Sequence, residues 1–238
     1  MGSDNMDARG VLDILDLTLL DHDASESDLD ELCKRANLHR PAAVCVFSEH
    51  VAFVRERLED EISVAAVAGG FPVGWQDAAS VLEAVENAVS SGADEVDCVL
   101  EPRDSPDFPG EHELSLLTSM REGSPGCKLK VIIETPLLSE HDIRAVSRMA
   151  LAAGADFVKS CTGKRGSCSD EDARLLSFEV KRHSVTMGEE RGVKLSGGIR
   201  VMDDVVRLIG IVNGQYEGIS GPSRLRIGAS SLLDDILG

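Results

Sequence analysis

Short runs of aliphatic and β-branched residues alternate along the chain with longer stretches whose apolar positions recur every three or four residues. The short runs are Ile14–Leu19, Ala43–Phe47, Ser63–Ala68, Glu95–Leu100, Lys130–Thr135, Phe157–Cys161, Val193–Leu195 and Leu225–Gly228, and each reads as a strand. Among the longer stretches, Ser25-Glu26-Ser27-Asp28 opens one helix, and Gln76 to Ser91 places Ala79, Leu82, Val85, Ala88 and Val89 at helical spacing. Helices are also expected over Ser139 to Ala153, Asp170 to His183, Val201 to Val212 and Ser230 to Leu237. Ser91-Gly92-Ala93-Asp94 and Ala153-Gly154-Ala155-Asp156 mark helix-to-strand turns, with glycine in the left-handed position past the helix end. Parallel neighbours need crossover connections, so strict β–α alternation implies a parallel sheet. Eight such units in 238 residues predict one α/β domain, a (β/α)8 TIM barrel, with a doubly wound open sheet as runner-up. The domain is placed at 11–238, after a leader over 1–10 whose first residues, Met1 to Asn5, read as a tag remnant or disordered segment.

Composition narrows the function. Hydrophobic residues make up 42% of the chain and aromatics only 3%, so aliphatic side chains must fill the interior, as buried parallel strands require. A formal charge of −18 argues against a nucleic-acid or anionic-membrane surface, since both need a basic patch. If the ligand is a phosphate, its cations must be local. Cys33, Cys45, Cys98, Cys127, Cys161 and Cys168 form no C-x-x-C pair, and Cys45, Cys98 and Cys161 lie in apolar runs, as expected of thiols in a reducing, cytoplasmic compartment. No apolar run approaches a membrane span, and no basic-then-apolar signal opens the chain. The six histidines share no metal-ligand spacing, so a metal-dependent enzyme is not expected.

In a barrel of this kind, active groups sit at the C-terminal ends of the strands. Four polar residues interrupt the apolar strands: Asp16, Asp97, Lys159 and Lys194. A lysine inside a buried strand must be paired, neutral or reactive. Lys159 and Lys194 occupy matching places on consecutive strands about 5 Å apart, so one ammonium disfavours protonation of the other and leaves an amine free to attack a carbonyl; the alternative is that each salt-bridges an acid, Asp97 or Glu134, as a structural pair. Asp97 is positioned to shuttle protons or to act as counter-ion to Lys194, and Asp16 either extends that network or binds backbone amides. Glu134 is a weaker candidate, equally readable as a structural acceptor. For a phosphate, Gly197-Gly198 after the seventh strand, Gly228 with Ser230 and Ser231 after the eighth, and Thr162-Gly163-Lys164 after the sixth lie on neighbouring loops of one rim. Arg200 and Arg226 read as helpers for an anion or as partners of surface acids. Trp75 is taken to cover a helix start, and Cys45 to pack in the core.

These residues resemble the class I deoxyribose-phosphate aldolases from about Leu12 to Leu233. The likeness rests on Leu15-Asp16-Leu17-Thr18, Gly92-Ala93-Asp94-Glu95-Val96-Asp97, Lys130-Val131-Ile132-Ile133-Glu134-Thr135, Ala153 to Lys159 with Thr162-Gly163-Lys164, Lys194 with Gly197-Gly198-Ile199-Arg200, and Arg226 to Ser231. The resemblance implies that Lys159 forms an imine, that Lys194 keeps it unprotonated with support from Asp16, and that Asp97 relays protons through water. It also implies a homodimer or homotetramer that cleaves 2-deoxy-D-ribose 5-phosphate reversibly, without cofactor. Phosphate would lie against Gly163, Lys164, Gly197, Gly198, Ser230 and Ser231. Ser160-Cys161 and Leu195-Ser196 depart from the common pattern, and so does the end at Gly238, without the terminal tyrosine some members use. Slower turnover, or a water in the tyrosine's place, would follow. A different lysine-dependent phospho-aldolase, or a barrel kept for protein binding with little catalysis, are the alternative readings.

Overall fold

A computed structural model describes residues 7–238. Eight parallel strands close into one barrel, β1 (Leu15–Thr18), β2 (Ala43–Phe47), β3 (Ser63–Ala68), β4 (Glu95–Val99), β5 (Lys128–Ile132), β6 (Phe157–Lys159), β7 (Gly192–Ser196) and β8 (Leu225–Ala229), with β8 pairing back onto β1. The open-sheet alternative is thereby set aside. Around the barrel run α1 (Ala8–Leu12), α2 (Glu26–His39), α3 (Val51–Arg55), α4 (Ala78–Ser90), α5 (Glu111–Gly123), α6 (Glu140–Ala152), α7 (Asp170–Met187), α8 (Met202–Gln215) and α9 (Leu232–Leu237). Of the expected leader, residues 1–6 lie outside the described residues. Its last three positions are helical, because Asp7 caps α1 by accepting the Gly10 N–H.

The helices begin where short polar side chains satisfy their free amides. Ser25 and Ser169 each form a capping box, with Asp28 and Asp172 returning the bond, and Asp77 and Ser139 cap α4 and α6. Among the described residues, no helix is long and apolar enough to cross a membrane.

Strand alternation sorts the side chains into two compartments. Outward-facing Leu15, Leu17, Val44, Val46, Val64, Ala66, Val131, Val158, Val193, Leu195 and Ile227 pack under the helices as one core. Inward-facing Ala43, Cys45, Phe47, Ala65, Val67, Val99 and Ile132 form a second, smaller apolar cluster inside the barrel on the β2–β5 side. Charged side chains dominate the rest of the barrel interior, with Phe157 buried beside Arg226.

Two strands differ from expectation by more than one residue at an end. The sequence predicts a strand over Lys130–Thr135, whereas β5 runs Lys128–Ile132, because Glu134 turns into the left-handed region at φ 56° and Thr135–Leu137 forms a 3-10 turn. The strand expected to reach Cys161 ends at Lys159. α3 and α5 have no counterpart in the expected helices.

Candidate active site

Seven charged side chains meet in the barrel interior, all at most 3% exposed: Asp16 from β1, Glu95 and Asp97 from β4, Lys130 from β5, Lys159 from β6, Lys194 from β7 and Arg226 from β8. Lys159 and Lys194 are register partners on adjacent strands. They do not face each other bare, because Asp97 Oδ2 accepts from both, at 2.8 Å from Lys159 Nζ and 2.7 Å from Lys194 Nζ. Lys194 Nζ also donates to Asp16 Oδ2 at 2.5 Å. Lys130 Nζ lies between three acids, at 3.0 Å from Asp16 Oδ2, 3.0 Å from Asp97 Oδ1 and 2.6 Å from Glu95 Oε2. At the bottom, Arg226 spans Asp16 Oδ1 at 2.5 Å and Glu95 Oε1 at 2.8 Å, and half-exposed Lys128 reaches Glu95 from the lower rim.

Burial alone would raise all three carboxyls, yet the cations more than offset it. Lys130, Lys194 and Arg226 hold Asp16 well below the usual carboxylate range, and Lys130, Lys159 and Lys194 do the same for Asp97. Glu95 is lowered against its burial chiefly by Lys130 and Arg226. Conversely, burial would lower Lys130 and Lys194, but Asp16 and Asp97 push both above the ordinary lysine value, with Glu95 adding to Lys130. Asp16, Asp97, Lys130 and Lys194 therefore stay ionised across the neutral range. Sequence reasoning named Asp16, Asp97, Lys159 and Lys194 and omitted Lys130, Glu95 and the buried role of Arg226. Arg226 neither faces the rim nor pairs with surface acids, because β8 alternation turns it inward under Asp16.

Among the three clustered lysines, only Lys159 lines an open cavity, about 350 Å³ at the C-terminal end of the barrel. Thr162, Gly163, Lys164, Gly197, Gly198, Gly228, Ser230 and Ser231, all the residues expected to hold phosphate, line the same cavity, as does Arg200. Asp16, Asp97 and Lys194 lie beneath it with no exposure. The loops after β6 and β7 interlock closely. At Gly197, φ is +94° and a Cβ would stand 2.5 Å from Cys161 Sγ, so only glycine fits the turn that brings backbone against the cavity. Lys164 holds its Nζ on Leu20 O at 3.0 Å, across the cavity mouth. The final helix, α9, starts at Leu232, and Ser231 makes no capping bond to it. With six residues it has little macrodipole, so at this loop local amides and hydroxyls are the available donors in place of the expected helix terminus.

Ser160-Cys161 and Leu195-Ser196, which depart from the aldolase pattern, satisfy each other across β6 and β7. Ser160 Oγ donates to Ser196 O and accepts from Ser196 N, both at 3.0 Å, while Ser196 Oγ donates to Cys161 O at 2.7 Å. Glu134 is buried, its Oε1 accepting from Thr162 N at 3.3 Å and its Oε2 without a hydrogen-bond partner among the described residues. Cys45 packs in the apolar half of the barrel, where burial raises its thiol. Trp75 is half-exposed beside a wider cavity of about 620 Å³ at the ends of β2 and β3, which is lined by His22, Phe47 and Phe71 but by no amine.

The family model of the DeoC/LacD family aldolases matches residues 11–236. A deoxyribose-phosphate aldolase of Staphylococcus haemolyticus is 33% identical over 196 residues, covering 82% of this chain and 86% of the relative. Among solved structures, the tetrameric deoxyribose phosphate aldolase of Aeropyrum pernix superposes with a TM-score of 0.79 at 25% identity, over 97% of this chain and 90% of its own. An aldolase designated QR15 gives a TM-score of 0.80 at 26% identity, over 95% and 96%.

Proposed function

The chain belongs to the DeoC/LacD family of aldolases, carbon–carbon lyases, and from that membership we propose that it cleaves 2-deoxy-D-ribose 5-phosphate through an imine on Lys159. One observation carries the choice of residue. Lys130, Lys159 and Lys194 share one cluster of acids, but Lys159 alone reaches the cavity whose rim offers glycine amides, two serines and Lys164.

A charge count says why its amine is the one set free. With half-exposed Lys128 left to solvent, four buried cations (Lys130, Lys159, Lys194, Arg226) meet three carboxylates (Asp16, Glu95, Asp97), so full ionisation leaves one positive charge unmatched in the barrel. Lys130 and Lys194 each touch at least two carboxylates, whereas Lys159 touches only Asp97, whose Oδ2 it shares with Lys194. Releasing the Lys159 proton brings the cluster to neutrality, and a neutral amine is the nucleophile imine formation needs. Lys194 and Asp16 act by staying charged, and Asp97 holds the amine in place.

The free amine adds to the aldehyde carbon C1 of the open-chain sugar. Loss of the C1 oxygen as water then gives an iminium. The C3 hydroxyl proton passes to cavity water and along the Asp97 network, a C3 carbonyl forms, and the C2–C3 electron pair moves into the iminium. Glyceraldehyde 3-phosphate leaves, and an enamine stays on Lys159. Protonation at C2 and hydrolysis release acetaldehyde and restore the amine. Phosphate is held by Lys164 with the amides and hydroxyls of Thr162, Gly163, Gly197, Gly198, Gly228, Ser230 and Ser231, local donors that overcome a global charge of −18. The proposal extends to a cytoplasmic homo-oligomer, supported by free cysteines throughout the chain and by the tetrameric relative from Aeropyrum pernix.

Borohydride reduction in the presence of acetaldehyde tests the reading. An ethyl adduct mapping to Lys159 and absent from Lys159→Ala is the expected result. A protein that traps nothing, or traps at another lysine, overturns it. Comparing phosphorylated with unphosphorylated deoxyribose separates this substrate from those of other lysine-dependent aldolases.

A further inference from the structure

The loop after β6 carries Lys164 and Arg165 side by side, and the two point to opposite sides of the barrel mouth. Lys164 reaches over the cavity to Leu20 O at 3.0 Å, on the loop after β1. Arg165 turns the other way and forms a two-pronged ion pair with Glu101, at 2.6 and 2.8 Å, on the loop after β4. The pair is largely sheltered, with side-chain exposures of 25% for Arg165 and 15% for Glu101. Glu101 Oε2 also accepts the Gly74 N–H at 3.1 Å, and Arg165 Nη1 lies 3.5 Å from Pro72 O, so the loop after β3 joins the same contact.

Close packing leaves these loops little slack. A Cβ at Gly74 would stand 2.6 Å from Val99 O, and one at Gly166 would stand 2.5 Å from Pro136 Cβ. The segment from Lys159 to Gly166 is thus fixed at its root by β6, at one side by Leu20, and at the other by Glu101. The guanidinium supplies what a lysine could not, a planar fork that fixes direction as well as distance.

We propose that Arg165 and Glu101 are positioning residues for phosphate recognition. Their ion pair holds the β6 loop across the mouth so that Lys164 and the Thr162–Gly163 amides stay where the phosphate needs them. Neither side chain lines the cavity that Lys159 opens into, so neither touches the substrate. The inference rests on the proposed phosphosugar reaction and says which residues set its affinity for the phosphate end.

The test is a set of full-length variants compared with the wild type. Glu101→Gln keeps the shape and removes the charge. The Michaelis constant for deoxyribose 5-phosphate should rise about tenfold, the scale of a small misplacement of a binding group, with kcat within about twofold. Unphosphorylated deoxyribose should be cleaved as by the wild type, and acetaldehyde trapping on Lys159 should be unchanged, because that chemistry needs only the amine. Arg165→Lys should fall between, and the exchange Arg165→Glu with Glu101→Arg should recover most of the loss. Hydrogen exchange at residues 162–168 should quicken in Glu101→Gln and return towards the wild-type rate in the exchange variant. An unchanged Michaelis constant, or an equal loss with the unphosphorylated sugar, overturns the proposal. So does unchanged hydrogen exchange, a readout independent of activity. A wild type that neither cleaves nor traps refutes the aldolase reading instead, and the exchange data still decide whether the pair holds the loop.

Discussion

Replacing Lys194 by leucine tests the proposal that the barrel keeps the Lys159 amine free. Lys194 and Lys159 bind the same oxygen of Asp97 at 2.7 and 2.8 Å, so their nitrogens are no more than about 5.5 Å apart. At an effective dielectric constant of about 20, one ammonium at that distance opposes charging of the other by about 3 kcal/mol. Leucine removes that repulsion and changes the count to three cations against three carboxylates, so Lys159 is then needed as an ammonium. Activity at neutral pH should therefore fall and partly recover in alkaline buffer. The fold should survive. Asp16 keeps Lys130 and Arg226, and Asp97 keeps Lys130 and Lys159. The assay is the initial rate of glyceraldehyde 3-phosphate release across pH, with borohydride trapping of acetaldehyde as a second reading of amine reactivity. A profile that keeps its position, with the protein folded, refutes the argument that the unmatched charge frees Lys159.

Lys159→Ala should abolish both cleavage and the acetaldehyde adduct while leaving the circular dichroism spectrum unchanged; an adduct forming elsewhere would misassign the nucleophile. Lys164→Ala should raise the Michaelis constant for the phosphorylated sugar about tenfold or more, the scale of a lost charge-assisted bond, without affecting unphosphorylated deoxyribose. Lys130→Met should cost about 3–5 kcal/mol, since it strands buried acids, and lower Tm by about 10 °C; a change under about 2 °C would show the acids to be neutralised some other way. Asp16 and Asp97 are depressed in the folded protein, so their stabilisation is complete above about pH 4 and is lost as pH falls through their folded values. Urea midpoints should accordingly drop steeply below about pH 4, and less steeply in Asp16→Asn.

The barrel was legible because parallel strands buried on both faces leave short aliphatic runs, and glycine marks their entry. The Lys159–Lys194 pair was legible because a lysine in such a run is anomalous. Lys130 was not, since the expected strand began at Lys130 and so made it a flank. The true strand starts at Lys128 and pairs Lys130 with Asp97. The signal was present all the same, because alternation from Ile132 puts Lys130 on the inward face. Arg226 was misjudged for a related reason, as long cations near strand ends usually reach solvent. The helix α5 escaped notice because Gly110 caps it without a side-chain oxygen, Glu113 closing the turn from inside the helix. Glu134 shows a limit of pattern reading, since nothing in Val131-Ile132-Ile133-Glu134-Thr135 announces a left-handed residue at the fourth place.

Stability alone does not account for seven charges inside the barrel. The same interior carries an apolar cluster on its β2–β5 side, built from Ala43, Cys45, Phe47, Ala65, Val67, Val99 and Ile132, so part of this backbone accepts apolar packing. Replacing a buried ion cluster by well-packed hydrophobic residues is often neutral or stabilising, because the desolvation of each ion offsets its attraction to the others. What an apolar filling does not supply is a surplus of one positive charge beside a cavity. The surplus exists only if both acids that touch Lys194 stay ionised, and the depressed carboxyls of Asp16 and Asp97 meet that condition. It falls on Lys159 only if the other cations are better paired, which Lys130 between three acids, Lys194 between two and Arg226 across two achieve. In the proposed reaction every charged group in the barrel thereby contributes to one outcome at one nitrogen, and those with no exposure do so without meeting the substrate.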